Sequence, residues 1–299
     1  MTLYRAFGLT IDSALELPEL PIAAGPADVT IRFGPTPPQL EKPAICRVLY
    51  QAQGDRWLMD GGRIVPARFL VQGGQEVVVE QTGPVDASVL RLFLLGSCMG
   101  ALLLQRGVMP LHGNALAGSR GAAVLTGSVG AGKSTLSLAL LQRGHRLLAD
   151  DISAVYRDPA GRPQVSSGFP RVKLWADSCA LLDVETAGLE RIRPELEKYH
   201  FPLNGAFAPQ PLPLDTVYVL LPGPWDAPRV EELHGAAKVR ELQAQLYKVL
   251  FAEGLRIWPW LFAHSSAVAA HIRLCTVRRP QNPVYLPHLV DLIAEDMAR

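Results

Sequence analysis

Cysteine is scarce and scattered. Four occur in 299 residues, Cys46, Cys98, Cys179 and Cys275, with no CxxC pair and no histidine at metal-ligand spacing. That excludes a finger-type zinc site and a redox dithiol, and leaves the thiols as small buried hydrophobes. An excess of either charge is missing too: 29 Lys and Arg face 28 Asp and Glu. No bulk field draws such a chain to nucleic acid or to an anionic bilayer, so any recognition of phosphate has to be local. Long apolar runs are also lacking. The longest, "LFLLGSCMGALLL" from Leu92 to Leu104, stops after 13 residues, short of the roughly 20 that span a bilayer. It reads as a buried helix, and no membrane insertion is expected. The start, "MTLYRAFGLTIDS", has polar and charged residues where a secretory signal needs an apolar core, so a cytoplasmic protein is expected. Internal repeats and low-complexity tracts do not occur.

What is present is a core. Hydrophobic residues make up 48% of the chain, enough for one large domain or two small ones. Residues 1–85 read as a β-rich N-terminal domain: "DVTIRFG", "RWLMD", "RFLVQ" and "EVVVEQ" are short strands, and Gly73-Gly74 fits a hairpin turn between the last two. Residues 86–299 read as a second, α/β domain. Its elements include a hairpin about "GSRG" (118–121), strands at "HRLLADD" and "TVYVLLP", and a helix over "KVRELQAQLYKVLF" with leucines and valines at helical spacing. A C-terminal amphipathic helix closes it.

Within that domain, "GSVGAGKS" matches G-x-x-x-x-G-K-[ST], and it lies between an apolar strand and a helical run, as the motif requires. Gly127, Ser128, Val129, Gly130, Ala131, Gly132, Lys133, Ser134 and Thr135 are therefore the candidate nucleotide-binding residues. Glycines let the backbone wrap a phosphate with its N–H groups turned inward. Lys133 would neutralise the β- and γ-phosphates and the Ser134 hydroxyl would ligate Mg2+. Downstream, Asp150 and Asp151 end the next strand. Adjacent strand residues point to opposite faces, so the two can share a site only if the chain turns there. One carboxylate would then face the metal and the other an incoming hydroxyl as general base. As a plain alternative, the pair caps a turn.

Other nucleotide-using classes lack their marks. The segment between loop and carboxylates is too short for an ABC-type signature, and no Asn-Lys-x-Asp base reader of a GTPase occurs. Nothing in the sequence reads ATP against GTP.

The stretch from Leu111 to Asp151 resembles the HPr kinase/phosphorylase group of bacterial P-loop serine kinases, through "LHGNAL" with His112, "GSVGAGKS" and "RGHRLLADD". The resemblance implies an α/β P-loop kinase core of the HPr kinase/phosphoenolpyruvate carboxykinase type, beside the small β-rich N-terminal domain. It also implies ATP and Mg2+ as cofactors, Asp150 as base on an acceptor serine, Asp151 close to the metal, His112 near the γ-phosphate, and a homo-oligomer. The chain departs from that group where a glycine-rich signature with a metal-binding glutamate would stand. "SSGFPRVKLWADS" occupies the place and is similar to HPr-kinase-like proteins found with peptide-modifying systems. Arg171 and Lys173 there are candidate cations for transition-state charge, or ordinary solvated residues of a strand. The arginine-bearing acceptor loop is not found either; Lys198 and His200 of "EKYHFPLNGAF" stand in for it, and the reverse, phosphorylase reaction is not expected.

The opening "YRAFGLTIDSALELPEL" looks like the N-terminal part of those proteins, which include kinases of lasso-peptide clusters that phosphorylate a C-terminal serine. The expected partner is thus a peptide or small protein that presents a serine, with a ribosomal peptide preferred. Two alternatives stay open: a kinase of an HPr-like carrier protein, and a non-catalytic nucleotide-binding regulator. "WPWLF" (Trp258 to Phe262) is either a docking patch or core.

Overall fold

A computed structural model describes residues 2–62, 64–193, 196–203 and 205–299. Eight strands come first: β1 (Thr2–Ala6), β2 (Leu9–Ser13), β3 (Val29–Phe33), β4 (Ile45–Cys46), β5 (Tyr50–Gln53), β6 (Arg56–Asp60), β7 (Ala67–Gln72) and β8 (Glu76–Gln81). Helices α1 (Ala87–Phe93) and α2 (Met99–Gln105) follow, joined without a break by one wider π-helical turn. Then come β9 (Met109–Ala117), β10 (Ala122–Gly127), α3 (Lys133–Gln142), β11 (Arg146–Ala149), β12 (Ile152–Arg157), β13 (Pro163–Ser166), β14 (Arg171–Trp175), α4 (Ala176–Leu181) and β15 (Lys198–Pro202). The chain ends with β16 (Leu212–Gly223), β17 (Arg229–Glu232), α5 (Gly235–Ala244), α6 (Leu250–Gly254), α7 (Trp258–His271), β18 (Arg273–Pro280) and α8 (Leu286–Ala298). The chain is mixed α/β.

Two compact units form, 1–110 with 247–263, and 111–246 with 264–299. This differs from the division expected at residue 85, because two segments join the N-terminal strands. The helical run is one: Gln105 donates to the Val71 carbonyl and accepts from the Gly74 N–H, tying α2 to the β7 hairpin. At 19 residues this run is longer than the 13-residue apolar stretch, and long and apolar enough to cross a membrane by length and composition, yet most of it is buried within the protein. The second segment returns late. Phe251 packs edge-on to Tyr50 at 4.8 Å and also meets Trp57, and a side chain at Gly254 would strike Ile45 and Ala52. The helix expected over residues 238–251 is broken accordingly: α5 stops at Ala244, Lys248 takes a left-handed conformation (φ 51°), and α6 restarts at Leu250.

In the first unit the strands form one sheet in the order β1-β2-β3-β8-β7-β6-β5-β4. In the second unit β10 pairs antiparallel with β9 and parallel with β16. The ladder β10-β9-β12-β13-β16 closes on itself, and β18 and β17 extend it. The strands β10, β16 and β18 run parallel, with Gly127 level with Leu220 and Leu220 level with Val277. Their buried faces, with Leu136 and Leu140 of α3, Val172 and Leu174 of β14, and Val290 and Ile293 of α8, make the core of this unit. Cys98, Cys179 and Cys275 are buried as expected; Cys46 is exposed instead, on the outward face of a two-residue strand whose Ile45 is buried.

Candidate active site

The glycine-rich loop emerges at the carboxyl end of β10 and turns into α3. The run "AAVLT" has no charged residue, so β10 is buried on both faces between antiparallel β9 and parallel β16. Gly132 caps α3 at φ 90°, and Gly127 sits at φ 135° with the Leu220 carbonyl only 2.8 Å from where a Cβ would be. A side chain at either position would be strained, which is why the motif demands glycine. The first amides of α3 have no partner within the helix and point at the loop. Lys133 folds back over them: its Nζ donates to the carbonyls of Gly127 (2.7 Å) and Ser128 (3.1 Å).

Asp150 and Asp151 follow β11. The chain turns there, with Asp151 left-handed at φ 67°, and the two carboxylates come to one cavity despite their adjacency. Asp150 is buried, and its Oδ2 accepts the Lys173 backbone N–H at 3.0 Å. Asp151 Oδ2 accepts from Lys173 Nζ at 2.9 Å, and its Oδ1 lies 3.7 Å from His112 Nε2. The same cavity, about 510 Å3, is lined by His112, Asn114, the loop from Val129 to Thr135, Lys173, Trp175, Lys198 and Arg279, among others.

The electrostatics separate the two aspartates. Burial pushes Asp150 up to about 6, and Asp151 adds to the rise against the pull of Lys173. A carboxyl so placed is ionised at neutral pH yet far more basic than a solvated one. For Asp151 burial acts in the same upward direction, but the Lys173 charge and hydrogen bond, with His112, outweigh it and hold the carboxyl well below the ordinary range. Burial lowers Lys133, assisted by Lys198, while the two aspartates oppose. Lys198 is lowered by burial and by Lys173. One carboxylate is thus kept charged by a lysine and the other kept basic by burial, the divergence that marks acid–base sites.

Of the residues singled out in the sequence, His112, Lys133, Lys173, Asp150 and Asp151 meet here, as do Val129 through Thr135. Gly127 and Ser128 contribute carbonyls to Lys133 rather than cavity wall. Arg171 does not join them: it shares a strand face with Lys173, but its guanidinium lies 3.6 Å from Glu190. Lys198 lines the cavity, its Nζ 5.2 Å over the Trp175 ring, whereas His200 sits opposite Lys173 in the β14–β15 ladder and does not.

Sequence reasoning missed Asn114 and Arg279. Asn114 lies two residues after His112, on the same face of β9; it is 1% exposed, its Oδ1 is 3.4 Å from the Asp151 N–H, and its Nδ2 has no partner among the described residues. Period-two reading of "HGN" would have found it. Arg279 stands at the carboxyl end of β18, where ligands of parallel sheets collect, but nothing local distinguishes it from Arg278.

No family model and no curated protein matches the chain. Among solved structures it is similar to the Hpr(Ser) kinase/phosphatase from Coxiella burnetii, at 15% identity and a TM-score of 0.33, over 63% of this chain and 97% of that one. At that degree of likeness the functional reading rests on the site itself.

Proposed function

We propose that this chain is a kinase that transfers the terminal phosphoryl group of ATP to a serine hydroxyl of a peptide. The observation that carries the reading is the convergence, in one cavity, of a glycine-rich loop with its lysine and a buried carboxylate held basic by its surroundings. A loop that only bound nucleotide would not need Asp150 buried beside it, at a cost to folding.

The residues suit a triphosphate and its cation. The α3 amides and Lys133 offer donors to phosphate oxygens, and the orphaned Nδ2 of Asn114 is a buried donor in need of an acceptor. Ser134 and Asp151 supply the hard oxygens Mg2+ takes, which in such sites are few because phosphates and waters complete the set. When bound, the ion would neutralise charge on the β- and γ-phosphates. In the transfer, Asp150 takes the proton of the serine hydroxyl as its oxygen forms the new bond to phosphorus. The bond from phosphorus to the bridging oxygen breaks, and the diphosphate leaves with that electron pair. Lys173 holds Asp151 ionised and, through its backbone N–H, fixes the orientation of Asp150. His112 flanks Asp151 near the reacting phosphoryl group. Arg171, paired with Glu190, has no part in it.

The acceptor we favour is a ribosomal peptide ending in serine, of the lasso type; the basis is the similarity of the "PRVKLW" segment and of the N-terminal residues to peptide-modifying kinases. A cytoplasmic setting and a homo-oligomer accord with it. Intact-mass analysis after incubation with Mg-ATP tests the proposal, using peptides ending in serine and an HPr-type carrier as acceptors. One phosphate gained by a peptide, and lost with Asp150→Asn, supports it. Phosphate gained only by the carrier moves the acceptor class, and wild-type transfer by Asp150→Asn would refute the assigned base.

A further inference from the structure

The cavity has two flanks. His112, Asn114, Asp150 and Asp151 stand on the β9–β11 side of the loop, and Arg279 stands on the other, beyond β16 at the end of β18. A Cβ on Gly132 would lie 2.9 Å from Arg279 Nε and 3.2 Å from its Cζ, so the guanidinium rests directly against the start of α3. Unlike Arg278, which pairs with Glu231 at 3.1 Å and covers the Trp225 ring, the Arg279 side chain makes no ion pair or hydrogen bond with any described residue. It is half-buried, and burial alone acts on its charge, whereas Lys133, Lys173 and Lys198 all feel the two aspartates. A half-buried guanidinium with no side-chain partner is free to take up a ligand.

Resting on the nucleotide reading above, we infer that Arg279 holds the nucleoside end of ATP, its guanidinium plane lying against the base. The phosphoryl group to be transferred has to reach Asp150, so the nucleoside must leave the loop on the opposite flank. Of the two aromatic rings among the described residues of the cavity wall, His112 lies beside Asp151 and Trp175 is turned to Lys198, so neither is available there. Arg279 and Pro283 are what the far flank offers, and a guanidinium stacks on aromatic planes as an ammonium cannot.

The test compares ATP with inorganic tripolyphosphate, which has the phosphates without the nucleoside, by calorimetry in Mg2+ on the wild type, Arg279→Gln, Arg279→Lys and Lys133→Ala, with circular dichroism confirming the fold of each. Arg279→Gln should weaken ATP about tenfold while leaving tripolyphosphate within about twofold. Arg279→Lys should behave like the glutamine variant, and Lys133→Ala should weaken both ligands. Equal loss of both ligands in folded Arg279→Gln, no loss of either, or full rescue of ATP by lysine would overturn the inference. If the wild type binds neither ligand, the nucleotide reading itself falls.

Discussion

The two flanks of the cavity solve opposite problems. On the β9–β11 flank charge is saturated: Lys173 satisfies Asp151 through its ammonium and Asp150 through its backbone, and His112 and Asn114 press against the same turn. On the β18 flank a single guanidinium stands without a counter-charge. The first arrangement holds its two carboxylates in place before anything binds; the second leaves a cation open to a ligand. In the proposed reaction, preorganisation is thus concentrated where a proton would move and left out where the nucleoside would merely be held.

That contrast can be broken first at Asp150. Asp150→Asn keeps the shape and the acceptor for the Lys173 N–H, so ATP affinity should stay within about twofold while phosphate transfer falls by about 10^2–10^4; single-turnover transfer with labelled ATP, set beside calorimetry, reads both.

Lys173→Met attacks the same flank through its counter-charge. It leaves Asp151 partly buried without its cation, and should cost about 2–4 kcal/mol of stability in urea unfolding. An unchanged midpoint would mean that water, not Lys173, balances Asp151.

A pH series sharpens the point. Asp150 in the folded chain titrates near 6, above an unfolded aspartate at about 3.9. Between those values the folded state binds more protons, so this group makes stability fall as pH rises from about 4 to about 6, after which the penalty is constant. Asp150→Asn lacks that penalty. It should therefore be more stable than the wild type by roughly 2–3 kcal/mol at pH 7, the gain fading as pH drops through 6 toward 4. A gain independent of pH would place its origin elsewhere.

The smallest effect is expected at Arg171. Its partner Glu190 is half exposed and the pair spans 3.6 Å, so Arg171→Gln should change stability by under about 1 kcal/mol and leave transfer within about twofold. A loss of tenfold or more in transfer would return Arg171 to the site that sequence reading gave it.

How much of this was legible can be argued residue by residue. The glycine loop and Lys133 were readable because phosphate binding by backbone amides needs particular residues at fixed, local spacing. The carboxylate pair was visible as a pair, but its usefulness hung on one dihedral angle, the left-handed Asp151, which no propensity assigns to aspartate with certainty. Lys173 and Arg171 look alike in "RVKLW"; only the packing of β14 places one against the aspartates and the other against Glu190. The unit boundary was less legible still, since the return of 247–263 to the first sheet depends on a glycine at 254 fitting Ile45 and Ala52 some 200 residues away.

The sequence by itself determined the groups available: a glycine-rich loop with its lysine, a strand ending in two carboxylates, balanced charge and a core large enough for two units. These are set by local geometry and by composition, which act within a few residues or over the whole chain. Which cations meet those carboxylates, which aspartate becomes basic and which arginine is left without a partner were decided by tertiary structure alone, because burial and charge pairing depend on the distances between strands remote in sequence.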